Sequence, residues 1–288
     1  MNRIALFFDL FKLRIGLVIG FTALAGLAVT PGAAPAGWRV ALLALAVVVS
    51  SAAAGAFNQY VERDIDARMG RTRRRPFVTG RLAHSRSWLA VIGLMCGGSV
   101  VVAALATNPL AALYTFLGAF VYGVVYTVWL KRRTWLNIVI GGLAGSFAVL
   151  AGAAAVTPGG LDWTPLWLAI VLFQWTPPHV WSLAIAFRSD YEAAGVPMLP
   201  AVVGDARAAR AILAGTVLLV AASLVPAWHG LSWLYAITAA GSGAYFLRKS
   251  IDLVRDPGRR TAMANFHASL TQLTLLLTAA IVDATLLH

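Results

Sequence analysis

Three oxygen-bearing side chains, Asn58, Glu62 and Asp66, recur at every fourth position of "NQYVERDIDARMGRTRRR" (58–75). On a helix that spacing puts them along one face, with neighbouring Cβ atoms about 6 Å apart. Asp64 points well away from that face. Stacked carboxylate and amide oxygens suit a hard divalent cation. Mg²⁺ takes one or two carboxylates and completes its shell with water and substrate phosphates. Like-charged acids on adjacent turns repel each other, and a cation offsets that repulsion. Charge alone also allows a solvated helix end, with Arg63 and Arg68 as the partners of the acids.

The next residues, "RTRRRPFVTGR" (71–81), place Arg71, Arg73, Arg74 and Arg75 directly before Pro76. A proline holds the residue before it in extended backbone. Guanidinium groups bind phosphate oxygens through paired hydrogen bonds. A cation site beside several of them is therefore what a diphosphate requires. Attraction to lipid headgroups accounts for some of these arginines but not for the adjacent acids. A second cluster lies in "WTPPHVWSLAIAFRSDYEAAGVPMLP" (175–200). Asp190 offers a second position for Mg²⁺, although the residue four further on is Ala194. Pro177 and Pro178 free backbone carbonyls and bend a helix. His179 stands beside that bend with Trp175 and Trp181. A histidine at membrane depth reads as functional or as a neutral ring hydrogen-bonded to a neighbour.

These residues must be positioned by membrane helices. The chain of 288 residues is 60% hydrophobic and 12% charged, where soluble domains carry roughly 25% charged residues. A spanning helix needs about 20 apolar residues. Nine segments qualify: 15–30, 38–60, 88–106, 109–130, 135–156, 163–187, 208–228, 230–249 and 265–287. The fold class is thus an all-α polytopic membrane protein, with nine helices around a central cavity open to the cytoplasmic side. The first segment follows Lys12 and Arg14 and precedes "AAPA", as a signal peptide would, but its basic flank fits a retained helix. Of 23 Lys and Arg residues only Arg39 falls on the far side of this topology. The positive-inside rule then puts the N-terminus in the cytoplasm and, with nine spans, the C-terminus outside. The net charge of +12 is split among short loops, which argues against nucleic acid. Cys96 is the sole cysteine, so no intrachain disulfide forms. Asp190 and Glu192 follow the first acidic cluster by four helices. This predicts one membrane domain over 1–288, with four-helix pseudo-repeats over 1–130 and 135–249 and a last helix at 265–287.

The stretch 58–81 resembles the first aspartate-rich motif of the UbiA superfamily of intramembrane prenyltransferases. "YTVWLKRRTWLNIVIGGLAG" (126–145), "WTPPHVWSLA" (175–184) and "DYEAAGVPMLP" (190–200) resemble its protoheme IX farnesyltransferase branch. The likeness runs over nearly the whole chain. It departs at "SFAVLAG", where the family carries two prolines after the glycines, and at Val180 after His179. Glu62 also stands where the superfamily often has Asp.

The resemblance implies transfer of a farnesyl group from farnesyl diphosphate to a vinyl group of haem B, giving haem O and diphosphate. Haem is then substrate rather than cofactor, and Mg²⁺ is the metal. Carried over by position, Asn58, Glu62, Asp66 and Asp190 are its ligands. Arg14, Arg75, Lys131 and Arg188 are the diphosphate contacts. Tyr122, Tyr126, Trp175, His179 and Tyr191 are candidates for the haem or prenyl pocket. The resemblance further implies a prokaryotic plasma-membrane location and a haem A synthase partner. A UbiA-type enzyme with another acceptor shares every diphosphate residue. A transporter would instead bury its charge at the membrane midplane.

Overall fold

The computed structural model describes residues 3–160 and 162–286, and among them there is no strand. Long apolar runs satisfy their own backbone groups as helices, and short polar or glycine-containing joints divide them. In chain order these are α1 (Arg3–Leu10), α2 (Leu13–Ala28), α3 (Gly37–Val61), α4 (Arg63–Arg68), α5 (Ser87–Ala106) and α6 (Pro109–Phe120). A helix of π type, Val121–Leu130, continues α6. Then come α7 (Asn137–Gly141), α8 (Leu143–Val156), α9 (Trp163–Ala186), α10 (Arg188–Ala193), α11 (Leu199–Val203) and α12 (Asp205–Leu224). A 3₁₀ turn at Val225–Trp228 precedes α13 (Trp233–Arg255) and α14 (Arg259–Leu286). Helix starts carry side-chain caps at three joints. Asn108 accepts from the Ala111 N–H, Asp162 from the Thr164 N–H and Ser232 from the Leu234 N–H, each satisfying a donor that the first turn leaves open.

Seven of the described helical stretches are long and apolar enough to cross a membrane: Gly37–Val61, Ser87–Ala106, Pro109–Leu130, Asn137–Val156, Trp163–Ala186, Asp205–Trp228 and Arg259–Leu286. The other two predicted segments fall short for different reasons. Leu13–Ala28 is apolar but has only 16 residues. Trp233–Arg255 has 23 residues, but its last turns carry Arg248, Lys249, Asp252 and Arg255. The last helix also starts earlier than its apolar run, at Arg259, and the Thr261 hydroxyl in its first turn accepts from the Gly258 N–H.

Helices α3, α5, α6 and α8 pack neighbour to neighbour, as do α9, α12, α13 and α14. Helix α2 touches α3 and α8 of the first group and α9 and α14 of the second. Small residues make this close packing possible where no hydrophobic force acts between helices. The tightest crossing is α2 on α8. A Cβ on Gly26 would lie 2.1 Å from the Val149 carbonyl oxygen, and one on Gly152 would lie 1.9 Å from that of Ala23. Only glycine fits at either position. Proline at 177 and 178 does not break α9, which runs through both residues.

Candidate active site

Asn58, Glu62 and Asp66 share a face although their helix is interrupted. Helix α3 ends at Val61 and α4 begins at Arg63. The Glu62 N–H still donates to the Asn58 carbonyl (3.0 Å) and the Asp66 N–H to that of Glu62 (2.8 Å). The helical register therefore carries across the joint, and all three side chains are buried, at 1–2% exposure. Asp64 lies outside this group. It is exposed and takes two hydrogen bonds from Arg132, at 2.7 and 2.8 Å. That contact holds its carboxyl below the usual carboxylate range, with burial working the other way.

Three cations reach the buried face. Arg75 Nη1 donates to both oxygens of Asp66, at 2.7 and 2.8 Å. Lys131 Nζ meets Glu62 Oε2 at 2.5 Å. Lys12 Nζ donates to Asn58 Oδ1 (2.6 Å) and to the Tyr122 hydroxyl (2.9 Å). Lys12 is the described non-glycine residue with positive φ, +47°. That turn between α1 and α2 sends its side chain down between the helices. Its ammonium faces neutral oxygens rather than a carboxylate. Burial, then Arg75, lower its pKa to about 7, against the pull of Glu62.

The π-type winding builds the opposite wall. Its wider turn closes with the Lys131 N–H on the Tyr126 carbonyl, at 2.9 Å. Such turns recur at functional sites because they re-aim side chains. Here the winding stacks Tyr122 on Tyr126, with centroids 5.7 Å apart. It also turns the Thr127 hydroxyl to accept from Asn58 Nδ2 at 3.1 Å. Lys131 lies 5.5 Å from the Tyr126 ring centre and Lys12 lies 5.6 Å from that of Tyr122. Tyr126 also packs against Gly141, where an added Cβ would stand 3.1 Å from the ring. Buried Tyr191 belongs to the apolar cluster beside Tyr126.

An apolar cleft begins at this charged group. Lys12 and Tyr122 form its mouth, and α2, α3, α6 and α8 form its walls down to Ile19, Val47, Tyr114 and Ala148.

The metal question turns on one atom. Glu62 Oε1 is buried and has no hydrogen-bond partner, a costly state that a cation would relieve. Among the described residues no three His, Cys, Asp or Glu side chains stand close enough to hold a metal by themselves. A Mg²⁺ that keeps waters and takes substrate phosphates needs only one or two carboxylates. Glu62 and Asp66, with Asn58, fit that requirement. Asp190 stands across from them on α10, where its Oδ2 accepts from the Arg71 N–H at 3.1 Å. Gly70 lets the chain pass, since a Cβ there would lie 3.3 Å from Asp190 Oδ1.

Residues 19–275 match the UbiA prenyltransferase family. The chain belongs to the UbiA prenyltransferase family. It is 57% identical over 275 residues to a protein of Paramagnetospirillum magneticum named protoheme IX farnesyltransferase 2, covering 96% of this chain and 95% of that one. A protoheme IX farnesyltransferase of Gluconacetobacter diazotrophicus is 41% identical over 287 residues, covering 96% and 90%. Among solved structures, a digeranylgeranylglyceryl phosphate synthase superposes with TM-score 0.79 at 17% identity over 99% of each chain. A UbiA homologue of Archaeoglobus fulgidus bound to DMAPP and Mg²⁺ gives 0.74 at 15% identity, over 94% of this chain and 98% of that one. These two likenesses establish the fold.

This UbiA prenyltransferase does not gather every residue predicted from its sequence. Arg14 is exposed in the first turn of α2. Lys12 stands in the left-handed turn before α2 and reaches Asn58 and Tyr122, whereas Arg14 is already in the helix and faces outward. Arg188 binds Glu192 (2.6 Å) and Asp205 (3.5 Å) rather than the buried acids. Trp175 and His179 form a separate group against α14. The His179 ring is stacked between Trp175 and Phe266, with centroids 4.1 and 4.3 Å away. Its Nδ1 is 2.7 Å from the Ser269 hydroxyl. Lys12 and Thr127 are the site residues that sequence reasoning missed. The only signal for Lys12 was its place in the basic flank, which Arg14 shares.

Proposed function

We propose that this UbiA prenyltransferase transfers the farnesyl group of farnesyl diphosphate to a vinyl group of haem B, releasing diphosphate and forming haem O. The observation that carries this reading is the junction at Lys12. A buried cluster of acids and cations opens there directly into an apolar cleft, which is what an amphiphilic prenyl diphosphate requires. The names of the relatives at 41–57% identity supply the acceptor.

The farnesyl chain lies in the cleft, where each buried CH₂ contributes about 0.8 kcal/mol. The diphosphate lies among Lys12, Arg75 and Lys131, whose N–H groups are fixed where negative charge develops. Arg14 and Arg188 serve the approach to this group rather than its centre. Asn58, Glu62, Asp66 and Asp190 would hold a Mg²⁺, which would neutralise charge on the leaving diphosphate. The C1–O bond breaks with both electrons going to diphosphate. The allylic cation left behind faces Tyr122 and Tyr126, whose ring faces are electron-rich. The vinyl carbon of haem B then forms the new C–C bond. Water adds to the resulting cation and loses a proton, leaving a hydroxyl group. Haem would contact Tyr191 beside Tyr126 and the separate Trp175–His179 group, where His179 Nδ1 lies 2.7 Å from the Ser269 hydroxyl.

The proposal includes nine spans in a prokaryotic plasma membrane, with the N-terminus and the acid cluster on the cytoplasmic side and the C-terminus outside. A haem A synthase is the natural recipient of the product. Haem extraction from cells expressing the chain tests the reaction. Haem O is expected with the native chain and not with Asp66→Asn. No haem O from the native chain, or an undiminished yield from Asp66→Asn, overturns it.

A further inference from the structure

The same cleft carries a length. On α3 its lining runs from Gly55, whose hydrogen-side space the Lys12 stem fills at 3.4 Å, to Val47. Eight residues at about 1.5 Å rise each give ~12 Å. The α6 side runs over the same interval, from Tyr122 to Tyr114. Beyond this depth the bundle is closed. On α2, one turn past Ile19, comes Ala23, whose carbonyl oxygen presses on Gly152 of α8. Gly26 in turn presses on the Val149 carbonyl. Ala23 and Val149 are 0–2% exposed. The two backbones touch there, and the gap is too small for a methyl group, let alone a chain.

With carbon–carbon bonds of about 1.5 Å, an isoprene unit adds roughly 4–5 Å to an extended chain. Two units therefore stop short of the ~12 Å floor, three reach it, and a fourth has no place beyond it.

We infer that Ile19, Val47, Tyr114 and Ala148 form a floor that measures the prenyl chain, so that the α2–α8 glycine crossing makes this site selective for a C15 donor over C10 and C20. This rests on the prenyl-donor part of the proposed function and adds the residues that set donor length. Lys12 fixes the diphosphate end and the floor fixes the other end, so selectivity follows from the distance between them. A longer chain must withdraw its diphosphate from the buried cations or fold back within the cleft.

The test measures binding of geranyl, farnesyl and geranylgeranyl diphosphate by calorimetry, with Mg²⁺ and without haem, on the native chain and two variants in nanodiscs. The native chain is expected to prefer farnesyl diphosphate. Ala148→Leu raises the floor and should move the geranyl-to-farnesyl affinity ratio at least tenfold towards geranyl. Ile19→Ala lowers it and should move the geranylgeranyl-to-farnesyl ratio in the other direction. If Ala148→Leu does not accumulate in the membrane, Ile19→Ala decides alone. Ratios unchanged within twofold overturn the floor and mean that the tail leaves sideways past exposed Ile15 into lipid. A chain that shows length selectivity but makes no haem O would refute only the acceptor, because haem is absent from the binding measurement.

Discussion

Substituting Lys131 by Met should destabilise the protein, and Mg²⁺ with farnesyl diphosphate should restore part of the loss. Lys131 and Glu62 are buried, at 8% and 1% exposure, and their charged atoms meet at 2.5 Å. Removing one partner of a buried ion pair costs about 3–5 kcal/mol, because the other charge is left uncompensated. Here the penalty falls on a carboxylate whose second oxygen already lacks a partner. At roughly 2–4 °C per kcal/mol for a chain of this size class, the melting temperature should fall by about 6–20 °C. Methionine keeps the length and apolar stem of lysine, so lost packing contributes little. Fluorescence-detected thermal unfolding in nanodiscs reads the shift. The same experiment with Mg²⁺ and farnesyl diphosphate reads the rescue, since a ligand that binds only the folded state stabilises it. The double substitution Glu62→Gln with Lys131→Met should cost less than Lys131→Met alone. If Lys131→Met melts within 2 °C of the native chain, or ligand gives it no more stabilisation than Glu62→Gln receives, Glu62 is not the uncompensated charge that the reasoning requires.

Three further outcomes are expected. Lys12→Met should raise the KM for farnesyl diphosphate about 10–100-fold, the loss of a hydrogen bond to a charged group worth about 1.5–3 kcal/mol; steady-state kinetics at saturating haem will show whether KM moves. Arg132→Ala removes only the exposed partner of Asp64, and such pairs contribute under about 1 kcal/mol, so turnover and melting temperature should both stay near native values. His179→Ala vacates a slot between two aromatic rings and should change the Soret band on haem titration, whereas an unaltered titration would return His179 to a packing role.

How far the site was legible follows from what periodicity can encode. The shared face of Asn58, Glu62 and Asp66 was legible because i, i+4 spacing is a local property of a helix, and it survives the joint at Glu62 through two hydrogen bonds. Asp64 fell outside it for the same reason. The six arginines of 58–75 could not be ranked in the same way. Arg63 and Arg68 bound the short α4, and the other four lie in a loop, where no period relates side chains; the resemblance named Arg75, and the turn that returns its guanidinium to Asp66 gives the geometry. Arg71 takes part through its backbone N–H, which any residue but proline would supply. Nothing in the composition of Val121–Leu130 announces the π winding that brings Tyr122, Thr127 and Lys131 together, since its residues suit an α-helix equally well.

The sequence by itself determined that this chain lives in a membrane as helices, that its acids gather behind two of them, and that arginines follow the first acids directly. Those properties depend on residues near one another in the chain, and hydropathy or spacing reports them directly. Only the tertiary structure decided which cation meets which acid. Lys12 comes from the turn before α2, Asn58 from α3 and Tyr122 from the π-type helix, and Lys131 reaches Glu62 across 69 positions. It also decided where the apolar cleft ends, because that floor is set by the close approach of α2 to α8. Two glycines in two separate helices permit that approach, and neither reveals its partner until the helices are packed.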